Sequence, residues 1–254
     1  MSDFYIGYLP NAPAILARFL RKVVVALGML AAVVALLLVT GQMPFANSIF
    51  EYGKPRGFEG MVTLTPYPAL SVARPGQAGL PDARSEYLLV APGKHGADDL
   101  VASFDGKQVR LQGQLVYRAG KTMVEIAPGS IVATGGASAG QEPLRDLGLV
   151  TISGEIVDSK CYLGVMNPGQ GKVHRDCAAR CLNGGIPPIF VSEQRGEQYL
   201  LVDPNGNALG HNALRDFVAE PITLEGELLQ RGETHFLKIN PGGLRHPATT
   251  TPAK

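Results

Sequence analysis

The sequence has few charged residues and no excess of one sign. Aspartate, glutamate, lysine and arginine make up 18% of the 254 residues, and the formal net charge is +1. Proteins that hold a nucleic acid need clustered basic residues to neutralise the phosphate backbone. A nucleic-acid partner is therefore not expected.

Motifs for common catalytic chemistries are also missing. The chain has no nucleophile elbow, no phosphate-binding loop and no paired catalytic carboxylate motif. The C-x-x-C-H motif for covalent haem is absent, and no cysteine closely follows the apolar N-terminal run, which excludes a lipoprotein anchor. These absences favour a protein that is not an enzyme, and no catalytic residue is assigned.

One long apolar run, VVVALGMLAAVVALLLV, occupies Val23–Val39. A helix needs roughly 20 largely apolar residues to cross a bilayer. Basic residues stand just before the run, at Arg18, Arg21 and Lys22, and no further charge occurs until Glu51. The run therefore predicts one transmembrane helix.

The positive-inside rule orients this helix. It predicts a cytoplasmic or interfacial segment at residues 1–20, a transmembrane helix at 21–42 and the remainder in the periplasm, anchored in the bacterial inner (cytoplasmic) membrane. The alternative is a signal peptide cleaved near Ala46–Ser48. The long apolar run and the long segment before it favour the uncleaved anchor.

The rest of the chain contains an internal repeat. EYLLVAP at Glu86–Pro92 matches QYLLVDP at Gln198–Pro204, and Val109–Gly129 matches Ile222–Gly242, all at offsets of 112 to 113 positions. Alternating apolar residues in the matched segments are typical of half-buried strands. The repeat indicates an internal duplication.

The fold class expected from this pattern is mainly β. A transmembrane helix is followed by two tandem OB-like small β-barrels, at residues 55–135 and 148–243, and by a flexible tail at 244–254. A pair of small open sandwiches is the alternative. The second copy is longer, because Tyr199 lies 18 positions further from Gly154 than Tyr87 lies from Gly60.

The extra residues of the second copy contain every cysteine of the chain, and we expect a Cys/His-bearing helical insertion there. On a helix, His174, Cys177 and Cys181 share one stripe, while Cys161 ends the preceding strand. The spacing C-x12-H-x2-C-x3-C therefore predicts a metal site made of these four residues. A closed structural zinc site has this kind of ligand set.

Other outcomes remain open for the same residues. Iron–sulfur clusters and copper also accept thiolates, although zinc is preferred. Outside the cytoplasm thiols tend to pair, so a disulfide from Cys161 to Cys177 or Cys181, without a metal, is the main alternative. A Cys161 sulfur more than about 8 Å from both helix thiols would exclude both the metal and the disulfide.

Three polar residues flank Cys161 and are expected to support the site by contacts with its ligands. They are Asp158, Lys160 and Tyr162. Each can hydrogen-bond to a ligand or alter the stability of its thiolate.

A resemblance accompanies these motifs. The segments GEIVDSKCYLG, HRDCAARCLNGGIPP and YLLVDPNG are similar to those of a group of bacterial periplasmic proteins with an OB-like barrel and the pattern C-Y…H-x-x-C-A-x-x-C. The similarity covers roughly residues 150–240. It implies the barrel fold and a periplasmic location.

Three functions are compatible with the sequence. The first is an accessory or electron-transfer subunit of a membrane redox complex, whose partners are the membrane and other subunits of that complex. The second is a metal- or disulfide-stabilised binding or scaffold module. The third is a thiol-dependent enzyme in which Cys177 or Cys181 is the nucleophile and His174 lies nearby.

Overall fold

The computed structural model describes residues 13–42, 48–74, 84–135, 142–194 and 196–245. The chain forms two compact units, Met1–Ala46 and Asn47–Lys254. Three predicted features lie partly outside the described residues. These are residues 1–12 of the predicted interfacial segment at 1–20, residues 46–47 of the predicted cleavage site at 46–48, and residues 246–254 of the predicted tail at 244–254.

The first unit contains one helix, α1, at Ala14–Gln42. It begins before the predicted start at residue 21 and includes Arg18, Arg21 and Lys22, because leucine, arginine and lysine are good helix formers. Ala14–Gly41 is long and apolar enough to cross a membrane. Twenty-nine residues extend about 43 Å, more than the roughly 30 Å hydrocarbon core.

The second unit is mainly β, as predicted, and its strands form two closed five-stranded barrels. The first barrel is made of β2 (Arg56–Thr63), β3 (Ala69–Ala73), β4 (Arg84–Val90), β5 (Gln108–Arg118) and β6 (Lys121–Ile126). Two short strands, β1 (Ser48–Phe50) and β7 (Val132–Ala133), pair with β5 outside this ring. The second barrel is made of β8 (Arg145–Asp158), β9 (Pro188–Ser192), β10 (Gln198–Val202), β11 (Ile222–Arg231) and β12 (Thr234–Lys238).

Both barrels have the same strand connectivity. The first closes in the order β2-β3-β4-β6-β5, and the second closes in the order β8-β9-β10-β12-β11. In each ring one pair of neighbouring strands is parallel, and the other pairs are antiparallel. The parallel pair is β4 with β6 in the first barrel and β10 with β12 in the second. This is the arrangement of an OB-like barrel, so the predicted fold class is confirmed.

Helices are few in the described part of the barrels. A short helix, α2 (Asp98–Val101), lies between β4 and β5. The equivalent segment of the second barrel contains two short 3-10 turns, His211–Ala213 and Arg215–Phe217. The largest helix there is α3 (Arg175–Asn183), in the connection between β8 and β9. This confirms the helical insertion in the second barrel.

Each barrel has its own apolar core, and two further clusters join the barrels. One of these places Tyr67 of the first barrel among Val157, Leu200 and Phe236 of the second. The other brings Val90, Val116 and Met123 of the first barrel against Cys161, Leu163, Cys181 and Ile186. The cysteine insertion is therefore packed between the two barrels.

Tyr67 connects the barrels by hydrogen bonds as well. Its hydroxyl donates to the carbonyl oxygen of Leu201 at 2.6 Å and accepts from the amide of Leu209 at 3.1 Å. Burial raises the pKa of Tyr67 well above its ordinary value. The neutral phenol is thus the form that the folded protein stabilises.

Replacing Tyr67 with phenylalanine should lower the free energy of unfolding by about 1–3 kcal/mol, because it leaves a buried carbonyl and amide unpaired. A raised folded-state pKa gives stability that is complete below the unfolded value of about 10 and declines as the pH rises above it. This decline should be smaller in Tyr67→Phe. Chemical unfolding at several pH values measures both effects, with exposed Tyr52→Phe as the control. Equal stability of the two variants would contradict the assignment.

Candidate thiolate site between the barrels

The site begins where β8 ends. Asp158 is fully buried, and its Oδ1 accepts a hydrogen bond from the amide of Cys161 at 2.8 Å. A short helical turn, Cys161–Val165, follows the strand. The carboxylate caps this turn and fixes the position of Cys161, whose side chain is only 3% exposed.

The helix that carries the other two cysteines starts later than predicted. Lys172–His174 forms a 3-10 turn, and α3 begins at Arg175. The helix ends at Asn183, before Gly184 and Gly185, as the sequence pattern indicates. His174 therefore precedes the α-helix and does not continue the stripe of Cys177 and Cys181.

The three cysteine sulfurs converge. Cys161 Sγ lies 3.9 Å from Cys177 Sγ and 3.8 Å from Cys181 Sγ. All three sulfurs lie within 4.8 Å of one another, and all three cysteines are free thiols. The strand-end cysteine and the two helix cysteines are thus brought together, well inside the 8 Å limit.

The structure places His174 differently from the prediction. Its Nε2 lies 3.0 Å from Asp158 Oδ2, and both side chains are buried. His174 belongs to a second group, with Asp158 and Cys161, whose candidate ligand atoms lie within 4.8 Å of one another. Cys161 is shared by the two groups. The predicted single Cys3His cluster is therefore resolved into a three-sulfur set and an adjacent Asp158–His174 pair.

A residue of the first barrel completes the surroundings of the sulfurs. Lys94 follows β4, and its Nζ donates to Cys177 Sγ at 2.8 Å and to Cys181 Sγ at 3.5 Å. The hydrogen bond to Cys177 raises the pKa of the Lys94 ammonium. The ammonium thus places a positive charge beside the sulfurs of both helix cysteines.

The two buried thiols influence each other. The contact with Cys181, together with burial, raises the pKa of Cys161 well above the ordinary value. The contact with Cys161, helped by the charge of Lys94, lowers the pKa of Cys181. Cys181 therefore ionises before Cys161.

Lys160 fixes the loop that carries Lys94. Its side chain is fully buried, and its Nζ donates to the carbonyl oxygens of Ala91 and Gly93, both at 2.7 Å. The same ammonium lies 2.5 Å from a carboxylate oxygen of Glu125. Lys160 thus contacts the first barrel and acts on the site through the Lys94 loop.

Tyr162 also faces the first barrel. The guanidinium of Arg118 lies 4.2 Å from the centre of the Tyr162 ring, and Arg118 Nη1 donates to the Tyr162 carbonyl at 3.3 Å. Of the three predicted supporting residues, Asp158 contacts a cysteine through its side chain, by accepting a hydrogen bond from the Cys161 amide. Tyr162 and Lys160 position the insertion against the neighbouring barrel.

Two glycines allow the barrels to meet beside the site. The amide of Gly96 donates to the carbonyl of Gly184 at 2.8 Å. A Cβ on Gly184 would lie 1.7 Å from the Lys94 carbonyl oxygen, and a Cβ on Gly96 would lie 2.4 Å from the Gly185 carbonyl oxygen. Only glycine permits this backbone approach.

Sequence reasoning missed Lys94 and Glu125. Both lie in the first barrel, whereas the sequence signal is confined to the cysteine-bearing segment of the second barrel. The loop APGKHG at Ala91–Gly96 has no spacing that relates it to the cysteines. Its one distinctive local feature is a lysine, Lys94, between two glycines, Gly93 and Gly96.

Comparison of this chain with protein-family models, with curated proteins and with solved structures gave no match.

Proposed function

We propose that this protein is a membrane-anchored module that binds one zinc ion through the thiolates of Cys161, Cys177 and Cys181. The observation that carries the proposal is the separation of the sulfurs. In a tetrahedral zinc site with Zn–S bonds of about 2.3 Å, two sulfurs lie about 3.8 Å apart. The distances from Cys161 to the other two sulfurs are 3.9 and 3.8 Å.

Charge balance supports a divalent ion. The buried Lys160 is paired with Glu125, and Asp158 is paired with His174 when the imidazole is protonated. If all three cysteines bind a metal as thiolates, they carry three negative charges in an apolar cluster, and the Lys94 ammonium offsets one of them. Unpaired charges in such surroundings are costly, and Zn²⁺ would neutralise the other two.

The proposed biological role is that of an accessory subunit of a membrane complex, with both barrels in the periplasm. Zinc has no accessible second oxidation state, so it would stabilise the barrel junction and would not carry electrons. Helix α1 would be the tether, and Arg18, Arg21 and Lys22 support the periplasmic orientation of the barrels.

Metal analysis of the purified full-length chain tests this proposal. The wild type should contain about one zinc ion per chain, and Cys161→Ser, Cys177→Ser and Cys181→Ser should each reduce the content to near zero. His174→Ala should keep the ion, because the imidazole bonds to Asp158 and lies outside the three-sulfur set.

Cobalt replacement gives an independent readout. Co²⁺ bound by three thiolates produces intense sulfur-to-metal charge-transfer absorption, which each serine variant should weaken. A protein that purifies without metal and binds neither zinc nor cobalt would contradict the function. Visible absorption in the protein as isolated would instead indicate iron or copper.

A further inference from the structure

The three thiols differ in their access to solvent. Cys161 and Cys181 are buried, at 3% and 1% exposure, whereas Cys177 is only partly buried. Cys177 also makes the shorter contact with the Lys94 ammonium. A reagent that reaches the cluster therefore meets Cys177 first, beside the Lys94 ammonium.

A second thiol lies behind the accessible one. Cys161 Sγ is 3.9 Å from Cys177 Sγ, so a movement of about 2 Å would bring the two sulfurs to the disulfide bond length of about 2.05 Å. Cys161 is held at the end of β8 by the Asp158 carboxylate, and Cys177 is in the first turn of α3. The pair thus joins two separate elements.

From this arrangement we infer that the metal-free protein carries out thiol–disulfide exchange, with Cys177 as the attacking thiol and Cys161 as the resolving thiol. Its substrate is a disulfide exposed outside the cytoplasm, in a small molecule or a protein. This activity goes beyond the proposed zinc binding and uses the same sulfurs in the absence of the ion.

The exchange takes place in two steps. The Cys177 thiolate attacks one sulfur of the substrate disulfide, a mixed disulfide forms, and the other substrate sulfur leaves as a thiolate that takes up a proton. Cys161 then attacks Cys177 Sγ, the mixed disulfide breaks, and the second substrate thiolate takes the proton that Cys161 gives up. The substrate disulfide is reduced by two electrons, and the two cysteines are oxidised to one disulfide.

Cys181 is a poorer resolving thiol for Cys177 in spite of its proximity. The two residues are four positions apart on α3, and consecutive turns of one helix hold their Cβ atoms in a geometry that a disulfide does not favour. Cys161 approaches from β8 and is free of that constraint. We therefore expect the three serine variants to react differently with a disulfide substrate.

The test uses the detergent-solubilised full-length chain, stripped of metal by a chelator, with glutathione disulfide as the probe. The wild type should release two glutathione molecules and form the Cys161–Cys177 disulfide, as read by mass spectrometry of peptides. Cys161→Ser should trap one glutathione on Cys177. Cys177→Ser should react about 100-fold more slowly, because the accessible thiol is lost.

Two further arms complete the test. Cys181→Ser should still release two glutathione molecules, and added zinc should suppress the reaction of the wild type. Circular dichroism of each variant checks that the barrels remain folded.

Several results would overturn the inference. One is a Cys177→Ser protein that reacts at the wild-type rate, and another is a Cys161→Ser protein that releases both glutathione molecules. If metal removal unfolds the site, the three thiols should react equally, and that equality would also refute the assignment. A failure to bind zinc would refute the zinc proposal alone, since every decisive arm uses metal-free protein.

Discussion

Replacing Lys160 with methionine is expected to lower the free energy of unfolding by about 3–5 kcal/mol. Methionine has a similar length but no charge, so the Glu125 carboxylate would be left buried without its cation. The carbonyls of Ala91 and Gly93 would also lose their donor. The cost is large because all these groups are shielded from water.

Chemical unfolding followed by circular dichroism measures this loss, with exposed Lys172→Met as the matched control. The double variant Lys160→Met, Glu125→Leu should recover part of the stability, because it removes the unpaired carboxylate together with the ammonium. A Lys160→Met protein as stable as the Lys172→Met control would show that the buried ion pair does not hold the barrels together.

Gly184→Ala is expected to separate the two barrels at the thiolate site. The added methyl group would lie 1.7 Å from the Lys94 carbonyl oxygen, and both sides of the contact are backbone, so no side chain can rotate away. Gly184 has φ −82° and ψ 2°, which alanine can adopt. The effect therefore comes from the contact itself, and it should cost about 3 kcal/mol.

Gly210→Ala is the matched control, because Gly210 has φ −65° and a Cβ there would meet nothing within 4 Å. The two variants should be compared by chemical unfolding and by cobalt binding. Gly184→Ala should weaken cobalt binding, because the Lys94 loop moves away from the sulfurs. Wild-type stability and metal affinity in Gly184→Ala would contradict the described approach of the two backbones.

The barrel fold could be predicted because its signal is local and occurs twice. Val109 and Leu111 alternate with polar residues along β5, and both are fully buried in the first core. The matched segments at Glu86–Pro92 and Gln198–Pro204 become β4 and β10, each parallel to the last strand of its own ring. Period-2 patterns at a fixed offset are enough to indicate such strands.

The meeting of Cys161 with the helix thiols could also be predicted, since it depends on a strand end, a loop and a helical repeat within one segment. The position of His174 could not. It depends on whether the α-helix begins at residue 172 or at Arg175, and boundaries of this kind shift by a few residues. The buried carboxylate of Asp158 holds the imidazole at 3.0 Å, outside the three-sulfur set.

Lys94 and Glu125 could not be found from the sequence because their roles arise only when the barrels dock. Lys94 contacts Cys177 across 83 positions, and Glu125 contacts Lys160 through the barrel interface. No periodicity or spacing encodes a contact between two separately folded surfaces. Such contacts follow from the shape of the interface, which here depends on Gly96 and Gly184.

Each barrel contributes to the site one lysine that contacts the other barrel, and this arrangement affects the order in which the site can be completed. Lys94 is synthesised with the first barrel, long before any of the cysteines, and Lys160 comes with the second. The Lys94 loop therefore lacks the lysine that fixes it until the second barrel has been made and has docked. A complete thiolate site thus requires both barrels to be made and joined.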